Sequence, residues 1–124
     1  SILDLKDHKT IWPRVSYTEK ISLKSRTLPS LLSENSLLLS NYDALVLDTQ
    51  GSELLVLKGA QPILRNFRFI KTEVANFESY ENCCQTEDID AFMTEHGFRN
   101  VVKHSFAGRE DIGEYFEVIY QRVN

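Results

Sequence analysis

An α/β fold, with a sheet parallel at its centre and antiparallel at one edge, follows from three features of these 124 residues. First, ALVLD (44–48) is a near-continuous apolar run of strand length, the pattern of a strand covered on both faces. Second, FIKTEVA (69–75) is another strand-length run, and a helical pattern separates the two. Third, the chain ends in two alternating runs, Phe98–Phe106 and Glu114–Val123, joined by the polar AGREDIG. That ending predicts a β-hairpin with a long loop. The order strand, helix, strand, helix, hairpin is met most economically by one mixed sheet.

Residues 1–18 carry mixed signals around Pro13 and predict irregular backbone with one short helical turn. In EKISLKS (19–25), Ile21 and Leu23 alternate with polar residues and predict a strand. Thr27 suits an N-cap, and Pro29 is tolerated in the first turn of a short helix bearing Leu31 and Leu32. After ALVLD, residues 52–58 read as a helix with Leu54 and Leu57 on one side and Gly59 at its end. Pro62 begins a further short turn. Thr86 is the expected cap of the next helix, whose Ile89, Phe92 and Met93 share one side and which Gly97 ends. Residues 1–40 form a lead-in, 41–124 carry the sheet, and no repeat or low-complexity tract divides this one unit.

With 14 basic and 18 acidic residues, the net charge of −4 offers no general attraction for nucleic acid or an anionic membrane. No apolar run approaches the roughly 18 residues of a membrane span. The two cysteines, Cys83 and Cys84, are adjacent and lie outside any Cys/His ligand spacing. Reduced loop thiols and a cytoplasmic home are therefore expected.

Two acids stand at the carboxyl ends of expected parallel strands, Asp48 and Glu73. Open α/β sheets bind ligands beyond those ends, so neighbouring strands would bring both acids to one rim. Gln50, Gly51, Ser52 and Glu53 then form a turn and helix start whose backbone N–H groups suit an anion or a held loop. Asp48 stays open between contacting a ligand and making the turn. His96, at a helix end, is expected to be structural. His104, on the side of Val102 and Phe106, is expected to be a core histidine. The five glycines never form a G-x-G, the turn by which backbone closely approaches a nucleotide-type cofactor.

TLPSLL (27–32), YDALVLDTQGSELLVLKGA (42–60), FIKTEV (69–74) and IDAFMTEHGF (89–98) together resemble the C-terminal half of FkbM-type methyltransferases. That pattern runs T-L-D-x-L-L, a hydrophobic strand, D-V-E/Q-G-A-E-x-x-V-L-x-G-A, a strand closing on Glu, and a helix ending in H-G-F/Y. This chain departs from it at Pro29, Thr49 and Gln50, where Asp, an aliphatic residue and Glu are commoner. The resemblance implies the C-terminal part of a Rossmann-like methyltransferase sheet. It also implies S-adenosylmethionine-dependent O-methylation of a hydroxyl on a sugar or secondary metabolite. By position, Asp48 and Glu73 would be the catalytic acids. Asp48, Gln50 and Gly51 would lie on the cofactor side and Glu53 and Asn76 on the substrate side, with no metal ligand set.

The family's first three strands and glycine loop should precede this stretch. The chain is thus expected to be the C-terminal portion of a longer enzyme, to be inactive alone, and to bind S-adenosylmethionine poorly by itself. Its expected partners are a small-molecule hydroxyl acceptor and a second copy, with neither nucleic acid nor membrane. The alternative is a non-catalytic α/β binding or assembly module. In that case the open apolar strand 44–48 would be covered by residues 19–25 or by another chain.

Overall fold

The computed structural model describes residues 1–124. Its single sheet has four strands: β1 (Ala44–Leu47), β2 (Phe69–Ala75), β3 (Phe98–Arg109) and β4 (Gly113–Arg122). They lie side by side in the order β1-β2-β4-β3. β1 and β2 are parallel, with Leu47 opposite Thr72, whereas β4 runs antiparallel to both β2 and β3. The helices are α1 (His8–Ile11), α2 (Leu28–Glu34), α3 (Glu53–Gly59) and α4 (Thr86–Glu95), with 3-10 turns at Leu39–Asn41 and Gln61–Asn66.

Alternation along the strands decides which residues meet the helices. Leu47 of β1, Ile70 and Val74 of β2, and Val118 and Tyr120 of β4 form one continuous core with Leu57 of α3 and Ile89 and Met93 of α4. Tyr120 is buried there, and its hydroxyl donates to Asp90 of α4, giving the phenol a partner inside the core. The opposite face presents Lys71 and Glu117, joined by a half-exposed ion pair of 2.8 Å.

Several expectations need correction. Residues 19–25 form no strand: Ile21 and Leu23 are 71% and 81% exposed. Two alternating apolar residues supply a face but no ladder partner, and an isolated strand leaves its backbone polar groups unpaired. β1 is covered on one face only, since Leu47 is buried while Val46 is 66% exposed. It is also an edge strand, paired with β2 alone. Gln85, not Thr86, caps α4, in a reciprocal capping box with Asp88. The helix expected at 52–58 starts one residue later, at Glu53, and Gly59 ends it as its last residue. The hairpin strands run on to Arg109 and start again at Gly113, because the ladder continues through Gly108↔Glu114. Arg109 bridges to Asp111 across the short turn at 2.9 Å. His104 is exposed, because β3 is the other edge strand and Val102 and Phe106 beside it are exposed too.

Other readings hold. Thr27 caps α2, with its hydroxyl accepting from Ser30 N–H at 3.4 Å, and Pro29 sits in the first turn. Gly97, with φ of 81°, follows α4. No helix is long and apolar enough to cross a membrane.

Candidate functional site

Asp48 leaves the carboxyl end of β1. Because Leu47 lies opposite Thr72, the next residues, Asp48 and Glu73, stand side by side on one rim. Asp48 is exposed and Glu73 is half-buried. Burial raises the Glu73 pKa above its ordinary value, and the negative charges of Asp48 and Glu117 add to the effect.

The residues after Asp48 fold into a closed turn. Gln50 and Gly51 both have left-handed backbone, with φ of 56° and 102°. A side chain at Gly51 would meet Cys83 Cβ and Tyr80 Cδ2 at 3.0 Å, so packing inside the protein requires glycine there. Glu53, expected on the substrate side, is instead 2% exposed and folded back on the turn. Its carboxylate accepts from Thr49 N–H at 2.8 Å and Gly51 N–H at 3.0 Å, while the Cys84 thiol approaches at 3.8 Å. Those two N–H groups are thereby spent and do not form the anion cradle that the turn suggested. Ser52 Oγ donates to Thr49 O at 3.1 Å and completes the closure. Asn76, also expected to meet substrate, clasps the sheet: its Oδ1 accepts from Glu114 N–H at 2.8 Å.

The Gln50 side chain points the other way, to the rim. Its Oε1 accepts from the Tyr80 hydroxyl at 2.6 Å, and its Nε2 donates to Asp48 Oδ1. Tyr80 belongs to the loop after β2, which the N-terminal segment holds. Lys6 and His8 N–H both donate to Ser79 O at 3.0 Å, and Glu81 N–H donates to Asp4 O at 2.9 Å. Ser1 Oγ donates to Gln50 O at 2.8 Å.

Two cavities meet at this rim. A small one of about 30 Å³ lies behind Asp48, lined among others by Glu73, Ser79, Tyr80, Cys84 and Tyr115. An open cleft of about 880 Å³ lies in front, between residues of the lead-in (Ser1–Asp4, Tyr17 and 19–23) and the Asp48–Gln50 turn. Asp48 and Gln50 line both, so the pair is the wall between them. Burial pushes the Cys84 thiol up to about 11 and the Tyr115 phenol up to about 12, so both stay protonated near neutrality. Both cysteines are free. No three His, Cys, Asp or Glu side chains converge as a metal-binding group. His96 is bonded to Phe92 O at 2.7 Å and stacked on the Phe92 ring, a structural role.

Of the expected residues, then, Asp48, Gln50 and Glu73 come together, while Glu53 and Gly51 support them from behind and Asn76 serves the sheet. Tyr80, Ser79 and Tyr115 were not anticipated. They stand in loops or on β4 with no motif, and only the fold brings them to the strand ends.

No curated protein and no solved structure matches the chain. The methyltransferase FkbM domain matches residues 3–100, which include β1, β2, the closed turn and the loop bearing Tyr80. Since that match spans most of the 124 residues, the chain belongs to the FkbM methyltransferase family.

Proposed function

We propose that the chain carries the acceptor-side rim of an S-adenosylmethionine-dependent O-methyltransferase acting on a hydroxyl of a sugar or secondary metabolite. The observation that carries this is the pairing of Asp48, just beyond the end of β1, with Glu73 near the end of the parallel β2: both acids line the small cavity, and Asp48 also opens to the large cleft. A parallel pair followed by an inserted antiparallel strand, β1-β2-β4-β3, is also what the end of a Rossmann-like methyltransferase sheet requires.

The residues present fit one end of the cofactor. Asp48 and Glu19 border the cleft and suit the ammonium group of its amino-acid end, while Asp4 there is paired with Lys20 at 3.1 Å. The five glycines of the chain form no G-x-G turn by which backbone could approach the cofactor's ribose and adenine. When bound, S-adenosylmethionine supplies a methyl group activated by the adjoining sulfonium. The chain's own part is to hold an acceptor oxygen in line and to take the hydroxyl hydrogen on Asp48, chemistry that depends mainly on positioning. Glu73, with its raised affinity for a proton, stands beside Asp48 to share it.

Asp48→Ala in the full-length protein, assayed with labelled S-adenosylmethionine against a panel of sugars and phenolic metabolites, tests this. Loss of label transfer is expected; unchanged transfer removes Asp48 from the mechanism. This chain by itself should give no calorimetric heat with S-adenosylmethionine, and clear binding would show that no upstream loop is needed.

A second reading rests on the β1 edge. Its outer backbone is unpaired by any other strand, and Val46 beside it is 66% exposed. Proteins rarely leave such an edge bare, so a second copy pairing there makes a homo-oligomer. In either reading the free thiols suit the cytoplasm.

A further inference from the structure

Gln50 is the one residue of the rim that combines left-handed backbone, two directed side-chain hydrogen bonds and a place in both cavity walls. A non-glycine residue in that region costs about 1–2 kcal/mol and persists only where its surroundings hold it. Here the surroundings do hold it. The Tyr80 phenol, which burial keeps protonated, has its hydroxyl hydrogen to give and donates to Gln50 Oε1. With the carbonyl oxygen so engaged, the amide nitrogen faces Asp48 and donates to Oδ1.

We infer that Gln50, oriented by Tyr80, is a positioning residue that fixes the Asp48 carboxylate at the mouth of the cleft. The inference rests on Asp48 meeting the acceptor hydroxyl, as proposed above. One Asp48 oxygen is tied to the amide, which leaves the other for the acceptor. Glu, the commoner residue of the family pattern at this position, would repel Asp48 when ionised and donate to it only when protonated. The Gln of this chain donates in either case, so its hold on Asp48 does not depend on its own titration.

Two measurements on the full-length protein separate this inference from the function it deepens. In protein labelled with ¹⁵N-glutamine, the Gln50 side-chain amide should exchange with water about ten-fold more slowly than that of the exposed Gln61, as for a lost hydrogen bond. Tyr80→Phe keeps the packed ring, removes only the hydroxyl, and should abolish that protection. Equal exchange of Gln50 and Gln61 in the wild type, or protection unaffected by Tyr80→Phe, overturns the relay whatever the activity. In the labelled methyl-transfer assay, Gln50→Glu should be about 100-fold slower than wild type near neutral pH. It should recover to within about ten-fold below pH ~5 as the introduced carboxyl is protonated. A constant ratio across pH refutes the positioning role, because a merely structural defect would not track that titration. If the wild type transfers no methyl to any acceptor, the proposed function fails, while the amide exchange still decides the relay.

Discussion

Glu53→Ala is the most informative perturbation of stability. The Glu53 carboxylate accepts from Thr49 and Gly51 N–H at 2.8 and 3.0 Å and is 2% exposed, so no water replaces it when it is removed. Each hydrogen bond to a charged acceptor is worth about 1.5–3 kcal/mol. Two such bonds give about 3–6 kcal/mol, from which the relief of burying a charge is subtracted. A net loss of about 2–4 kcal/mol follows, or roughly 3–6 °C of melting temperature per kcal/mol for a chain of this size. Glu53→Gln keeps an acceptor oxygen for one N–H and should lose only about half as much. Urea unfolding followed by circular dichroism measures both variants. If Glu53→Ala costs less than about 0.5 kcal/mol, as an ordinary surface change does, the carboxylate does not hold the turn. The same refutation follows if the two variants are equally destabilised.

Gly113, with φ of 143°, would place a Cβ 2.5 Å from Asn76 Oδ1. Gly113→Ala should therefore cost about 2–3 kcal/mol in urea unfolding, whereas Gly59→Ala, whose nearest neighbour is 3.5 Å away, should be neutral or stabilising by up to ~1 kcal/mol. Glu73, raised above its ordinary 4.5, binds its proton more tightly folded than unfolded. Its contribution to stability is thus fully present below about pH 4.5 and is lost as the pH rises through the raised value. Glu73→Gln should accordingly unfold at a higher urea concentration than wild type at neutral pH and at the same concentration near pH 4. Val46→Lys on the open edge should change stability by under ~0.5 kcal/mol, since the side chain is largely in solvent. The same variant should abolish any concentration-dependent assembly in sedimentation; assembly that survives it does not use the β1 edge.

Most of the fold was legible because its signals are local. The apolar run at 44–47, the run at 69–75 and the periodic 86–95 segment each declare a strand or helix through spacing alone. Residues 19–25 show the limit: they carry the period of a strand, yet a strand also needs a ladder partner, and partners are set by tertiary placement. The exposed face of Val46 has the same origin, since an apolar residue declares what it can bury but not whether anything covers it.

The site divides along the same line. Asp48 and Glu73 were readable from sequence because each lies at or near the carboxyl end of a strand, Glu73 two residues before β2 ends, and the parallel register of β1 and β2 brings them together. Glu53 was readable as an acid at a helix start, but not as the acceptor for the turn. Its two donors are four and two residues away, and the backbone must first close on itself. Tyr80 lies 30 residues beyond Gln50, and no local pattern couples them. The sequence by itself thus determined most of the elements, the rim acids and the family. Only the tertiary structure decided which side chains face the cleft and which are spent inside, because hydrogen bonds between distant residues depend on the packing that brings them within about 3 Å.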